Sequence, residues 1–167
     1  FSSGTATKMN CFECEAYACN QSNTGTTGGF NLAGGGILYR CFAHDNTGNN
    51  TFGFRVVGGT AVGCVADTNG AQGFVTVGPG VLVGCDSYNN GGSGIGIDTT
   101  PMGVYNCNLV KNTGYGVNVG SSIGYLYNCG FGAGTQANTS GKYPSNVYHI
   151  VLSGEIVYAN DVTPWVD

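Results

Sequence analysis

Val104-Tyr-Asn-Cys-Asn-Leu-Val-Lys-Asn112 sets a cysteine, Cys107, three residues after one apolar side chain, two before another and five before an asparagine. The arrangement recurs along the chain. Cys19, Cys41, Cys64, Cys85, Cys107 and Cys129 follow one another at separations of 22, 23, 21, 22 and 22 residues. A period this short and constant means a solenoid, because each repeat is too small to bury its own apolar face and must stack on its neighbours.

Aligned on the cysteine, the position three residues earlier holds Ala16, Leu38, Ala61, Leu82, Val104 and Leu126. The position two residues later holds Gln21, Ala43, Ala66, Ser87, Leu109 and Phe131. A second apolar pair follows a glycine: Gly29-Phe-Asn-Leu32, Gly53-Phe-Arg-Val56, Gly73-Phe-Val-Thr76, Gly94-Ile-Gly-Ile97 and Gly116-Val-Asn-Val119. Alternation over so few residues is strand periodicity, and it predicts an all-β chain with at least two short strands per repeat of about 22 residues. Five residues after the cysteine stand Asn46, Asn69, Asn90 and Asn112, with Asn23 one place early. Asparagine tolerates the left-handed conformation, so these predict one recurrent turn whose amides can bond up and down the stack; an Asn-lined sugar groove is the alternative.

The composition fits. Only 8% of the 167 residues are charged while 31 are glycine, yet 41% are hydrophobic, enough to build a core rather than a disordered chain. A formal charge of −4, with basic residues scattered singly at positions 8, 40, 55, 111 and 142, offers no stripe for a phosphate backbone, so nucleic acid is not an expected partner. No apolar run approaches the roughly 20 residues needed to span a bilayer, so no membrane partner is expected either. The first residue is Phe1 rather than Met, which suggests a processed product or a segment of something larger.

Eight cysteines would ordinarily suggest a disulfide framework. One cysteine per repeat at a fixed position instead suits an inward column of small side chains, expected as thiols, with disulfides between successive rungs as the alternative. The Cys11-Phe-Glu-Cys14 pair lacks a second pair at zinc-ligand spacing, so no metal or other cofactor is expected. The expected plan is one domain. Residues 1–15 form an N-terminal cap or partial rung, 16–131 regular rungs, 132–146 an inserted loop, 147–160 a last rung and 161–167, with Pro164 and Trp165, the start of a C-terminal cap.

Chemistry is sparse. His44 and Asp45, near Asp67 and with Arg40 and Arg55 on the same or adjacent strands, make the closest thing to a catalytic cluster. The acidic residues nevertheless fall at different offsets from their cysteines, and the charged residues are read as a solvated face. Tyr88, Tyr115 and Tyr143 could stack on sugars, but ordinary surface or turn tyrosine is the favoured reading. The sequons at Asn20, Asn49 and Asn138 are easily met by chance in so Asn-rich a chain.

The run Val104–Asn112 followed by Gly116-Val-Asn-Val119 resembles the repeat of right-handed parallel β-helix proteins of the pectate-lyase-like group. In that group a rung reads apolar, x, Asn, Asn or Cys, x, apolar, and then a Gly-led strand. The resemblance covers about residues 10–160. It implies a single-stranded right-handed parallel β-helix of about six to seven rungs. The group includes polysaccharide lyases, glycoside hydrolases, phage tailspikes and other virion proteins. The Asn-Thr-Asp and Gly-His-Gly motifs of its polygalacturonases and the Arg-x-Pro-x-x-Arg of its lyases are absent here. The resemblance therefore implies a non-catalytic virion or extracellular domain of tailspike or fibre type that contacts glycans through a lateral face, with a carbohydrate-active enzyme fragment as the alternative. Self-association is expected as well, because each end of the solenoid exposes strand edges that only short segments can cover and the lateral faces are poor in charge: a trimer, as in tailspike-like relatives, or an end-to-end stack forming a filament.

Overall fold

Two bends per repeat shape the chain, and each is made by one residue in the left-handed region. The residue before the column cysteine is one: Glu13, Arg40, Gly63, Gly84, Asn106 and Asn128 have φ between 51° and 60°. The residue four places after the cysteine is the other: Ala18, Asp45, Thr68, Asn89 and Lys111, with φ between 51° and 56°. A left-handed residue turns an extended chain sharply without interrupting its pairing on either side, so one winding becomes three short strands. The expected minimum of two strands is three here because the stretch around each cysteine bends at the residue before it.

The computed structural model describes residues 8–19, 28–98, 102–119 and 125–132, and the strand residues 139–141, 146–147, 150–152, 158–159 and 163–164. Residues 1–7 of the expected cap, most of the 132–146 loop with Tyr143, and Trp165 lie outside them. Among the described residues there is no helix, and the strands stack as a parallel β-solenoid with a repeat of about 22 residues. The first sheet contains Met9–Phe12, Gly36–Tyr39, Thr60–Val62, Gly80–Val83, Met102–Tyr105, Tyr125–Tyr127 and Asn146–Val147. The second contains Glu15–Tyr17, Phe42–His44, Val65–Asp67, Asp86–Tyr88, Asn108–Val110, Cys129–Gly132 and Ile150–Leu152. The third contains Gly28–Leu32, Phe52–Val57, Phe74–Val77, Ile95–Ile97, Val117–Val119 and Thr139–Gly141. Thr139–Gly141 lies within the expected loop yet pairs as a strand with Val117–Val119. Tyr158–Ala159 and Thr163–Pro164 pair antiparallel apart from these sheets.

Register corrects the first repeat. Cys11 pairs with Leu38 and Ala16 with Ala43. Counting from these partners, Cys14 stands in line with Cys41, and Cys19 stands in line with Asn46. Cys19 is therefore not a member of the cysteine column, and it is only half-buried. Cys41, Cys64, Cys85, Cys107 and Cys129 are buried, and all eight cysteines are free thiols. Each column thiol donates to the carbonyl two residues earlier, at 3.3 Å from Cys107 to Tyr105 and 3.6 Å from Cys64 to Val62, so the sulfur fills the inside of the bend it follows. Burial pushes the Cys41 thiol up to about 11. Farther along the column, hydrogen bonding to Cys107 and then burial raise Cys85 and Cys129.

The core is filled by compensation between sheets. Inward positions of the second sheet run Ala16, Ala43, Ala66, Ser87, Leu109, while those of the third run Phe30, Phe54, Phe74, Ile95, Val117. Small faces large until the order reverses, which holds total volume nearly constant along the stack. The three phenylalanine rings stack with centroids 5.0 and 4.8 Å apart.

The four asparagines are buried rather than displayed. The bend itself is taken by the residue before each of them, and the amides form a ladder inside it. Nδ2 of Asn46, Asn69 and Asn90 donates to Oδ1 of the next asparagine at 2.7, 2.9 and 2.9 Å. The second amide hydrogen of each goes to a main-chain carbonyl of the preceding repeat: Ala16, Ala43 and Ala66. Asn112 likewise donates to the carbonyl of Ser87. A buried amide with its hydrogens committed in this way has no spare group to offer a sugar, so the Asn-lined groove is not what these residues build.

Candidate functional site

Side chains that do not point inward are the material for function, and they divide by sheet. On the second sheet, register places Tyr17, His44, Asp67 and Tyr88 in one outward row and Glu15, Phe42, Val65 and Asp86 in the next. His44 and Asp67 are thus direct neighbours, although in the sequence the acidic residues look misaligned. Imidazole Nδ1 lies 2.8 Å from Asp45 Oδ2 and Nε2 lies 2.8 Å from Glu15 Oε1. The ring stacks with that of Phe42, 4.3 Å away, and with that of Tyr17, 5.6 Å away. The Asp45 hydrogen bond first, and that of Glu15 after it, hold His44 above its ordinary value against the opposing effect of burial.

Asp67 accepts hydrogen bonds from Thr68 Oγ1 at 2.7 Å and Asn89 Nδ2 at 3.4 Å. Burial, then the nearby Asp67, raise the Tyr88 phenol, and burial raises the Asp86 carboxyl. The arginines expected beside this cluster are elsewhere. Arg55 is on the third sheet, 3.2 Å from Asn31 Oδ1, and Arg40 is at the bend between first and second sheets, 3.8 Å from Glu13. Among the described residues no group of three or more His, Cys, Asp or Glu side chains could hold a metal ion. Glu15 was missed in the sequence because the first repeat was aligned on the wrong cysteine; it follows Cys14 directly, as Asp86 follows Cys85.

The third sheet carries a different feature. Its outward row runs Asn31, Arg55, Val75, Gly96, Asn118. The short side chain of Val75 and the missing one of Gly96 leave a trough of about 340 Å³. It is lined by Asn50, Phe52, Gln72, Val75, Gly96, Ile97, Asp98 and Asn118. Ile97 and Phe52 belong to the buried core behind it, so the floor is apolar and fixed, while amides and one carboxylate stand around the rim. Such a volume and lining fall at the small end of ligand sites. Amide groups both donate and accept, matching hydroxyl groups, which do the same. Tyr88 lies on the second sheet and Tyr115 precedes the strand Val117–Val119, so neither lines the trough. Compared with models of known protein families, with curated proteins and with solved structures, the chain matches none.

Proposed function

We propose that this chain is a structural solenoid domain of an extracellular or virion-borne assembly, of tailspike or fibre type, that holds neutral glycan chains along its third sheet without cleaving them. The trough at Val75 and Gly96 carries this reading: an apolar floor takes a sugar face and the Asn50, Gln72, Asp98 and Asn118 rim takes its hydroxyls. Asp98 favours an uncharged chain over an acidic one, since a second carboxylate beside it would be repelled. The solenoid is right-handed with six to seven rungs, in keeping with the strong preference for right-handed crossovers between parallel strands.

The test is binding of neutral oligosaccharides by titration calorimetry, comparing the native chain with Gly96→Leu. A Cβ at Gly96 meets only ordinary contacts, the nearest being Gln72 Cγ at 3.6 Å, so this change fills the trough while the fold stands. Binding that Gly96→Leu abolishes is the expected result. No binding across a broad panel, or binding indifferent to Gly96→Leu, refutes the reading. The cluster of Glu15, His44, Asp45 and Asp67 favours the enzyme alternative, and polysaccharide turnover abolished by Asp45→Ala or Asp67→Ala would establish it in place of ours.

A further inference from the structure

The first sheet presents an outward face unlike the other two. Its outward positions, followed by register, are Asn10 and Phe12, Ile37 and Tyr39, Thr60 and Val62, Val81 and Val83, then Gly103 and Tyr105, and at its far end Tyr127. None carries a charge at neutral pH, and no strand of this sheet contains Asp, Glu, Lys, Arg or His. Four of these large side chains are well exposed: Phe12 60%, Ile37 43%, Tyr105 37% and Tyr127 49%. Val62, Val81 and Val83 between them are half-buried. The second sheet instead displays Glu15, Asp67 and Asp86, and the third displays Arg55 and ends at Asp98.

We propose that this face is where a second copy of the chain docks, sheet against sheet about a two-fold axis. Charge selects both the face and the occupant. A chain with a formal charge of −4 repels its own copy, least so where neither partner shows an ionised group. Two second-sheet faces would bring carboxylates together. The ionised pair at the edge of the face is Glu13–Arg40, 3.8 Å apart at the adjoining bend; its guanidinium lies 5.0 Å from the centre of the Tyr39 ring, and the Glu13 carboxylate offsets its charge locally.

A single flat patch pairs with itself isologously and closes at two copies; a ring of three would need two different patches that complement one another. Six strands about 4.8 Å apart and three to four residues long give a footprint of roughly 350 Å² per chain, extended by the projecting aromatic side chains. That yields on the order of 800–1,000 Å² of total buried surface, below the range of stable specific interfaces and within that of weak, transient ones, so the dimer is a weak and reversible one. Thr60, Val62, Val81 and Val83, on the two middle strands of the face, lie nearest the axis. This inference is independent of the glycan trough, which is on another sheet.

The experiment is light scattering on the native chain between 1 and 200 µM (about the range in which such an interface populates), with Val83→Asp and, as control, Val65→Asp. Val83→Asp brings two carboxylates close to each other across the axis, whereas Val65→Asp makes the same chemical change on the second sheet. Doubling of mass in the native chain, at least a tenfold weaker association in Val83→Asp and none of that weakening in Val65→Asp is the expected result. Thr60→Arg, whose long side chain reaches solvent in the monomer, repeats the test should Val83→Asp fail to fold. One-chain mass throughout the range, three-chain mass, or a dimer indifferent to both Val83→Asp and Thr60→Arg overturns the proposal. None of these readings depends on sugar.

Discussion

Asn90 donates an amide hydrogen to Asn112 Oδ1 at 2.9 Å, and the same oxygen accepts the main-chain N–H of Asn90 at 3.2 Å. One side-chain oxygen therefore holds two donors of the preceding repeat, and the relationship repeats between Asn69 and Asn90 at 2.9 and 3.0 Å. The ladder works as a second, side-chain sheet laid inside the bend. It supplies pairing where the chain leaves strand geometry and the main chain alone would leave donors unmet.

Removing one step leaves unmet groups on both sides. Asn90→Ala strips Asn69 of an acceptor for its main-chain N–H and its amide, takes one of two donors from Asn112 Oδ1, and leaves the Ala66 carbonyl without the amide hydrogen it accepts. A cost of about 2–4 kcal/mol is expected, more than one hydrogen bond is worth, because the orphaned groups stay buried. Asn108→Ala, on the exposed face of the second sheet, is expected within about 0.5 kcal/mol of the native chain. Urea unfolding of the two variants measures the difference, and equal midpoints would refute a structural role for the ladder.

The glycines at the head of three third-sheet strands, Gly53, Gly73 and Gly94, are crowded by the same ladder. A Cβ on Gly53 would meet Asn69 Nδ2 at 2.9 Å, and one on Gly73 would meet Asn90 Nδ2 at 2.9 Å as well as Ser87 Oγ. Gly73→Ala is therefore expected to cost about 1–3 kcal/mol by overpacking, part of it recovered by Ser87→Ala in the double variant. Gly84→Ala is the contrast: nothing lies within 4 Å of its Cβ, but φ is +59°, so only the backbone penalty of about 1 kcal/mol is expected and Ser87→Ala recovers none of it. A double-mutant cycle with no coupling between positions 73 and 87 would show that close approach is not the reason for this glycine.

Much of the scaffold was legible because a solenoid is nearly one-dimensional: the contact partner of a residue lies one period away, and a period can be counted. Counting failed at the first repeat. Cys14 and Cys41 are 27 residues apart chiefly because more residues separate Tyr17 from Gly28 than separate His44 from Phe52, and Cys19 falls by chance at the usual interval. The better signal was chemical: Cys14-Glu-Ala16, Cys41-Phe-Ala43 and Cys64-Val-Ala66 share the alanine that the phenylalanine stack requires. Corrected in this way, the outward row of His44, Asp67 and Tyr88 is also countable, since all three stand three residues after their cysteine. The trough was not legible. Its lining comes from four successive repeats, its space is opened by an absent side chain at Gly96, and Asn50 and Gln72 belong to turns that follow no fixed spacing.

Thiol reactivity tests the corrected register. Eight thiols are expected on titration of denatured, unreduced protein, since all eight cysteines are free. In the native chain Cys14 and Cys19 are only partly covered, whereas Cys41 is buried, with its thiol pushed up to about 11. Alkylation at pH 8 is expected to modify Cys14 and Cys19 first and to leave Cys41 at least tenfold slower, because the thiolate is the reacting form. Mass mapping of the modified peptides reads this out. Cys19 protected as strongly as Cys41, with Cys14 alone reacting quickly, would restore the uncorrected alignment.

The last prediction concerns pH. His44 has a carboxylate oxygen 2.8 Å from each ring nitrogen, and only the imidazolium has two N–H groups to donate. The strap ties Glu15–Tyr17 to Phe42–His44, so the protonated ring stabilises the attachment of the first second-sheet strand. Asp67, beside His44 in register, adds a further negative group, while the neutral faces of Tyr17 and Phe42 keep water from the ring. The pKa of His44 is raised in the folded chain, chiefly by Asp45 and then by Glu15. Its contribution is then fully present below the ordinary histidine value of about 6.5 and is lost as pH rises through the higher folded value. His44→Gln keeps a polar group without a charge. The native chain is expected to melt above His44→Gln at pH 6, with the gap in Tm shrinking as pH rises toward 9. Comparison with the variant removes contributions from every other titrating group, His149 included. A gap that stays constant or widens across this range would mean that His44 does not serve as a charged strap.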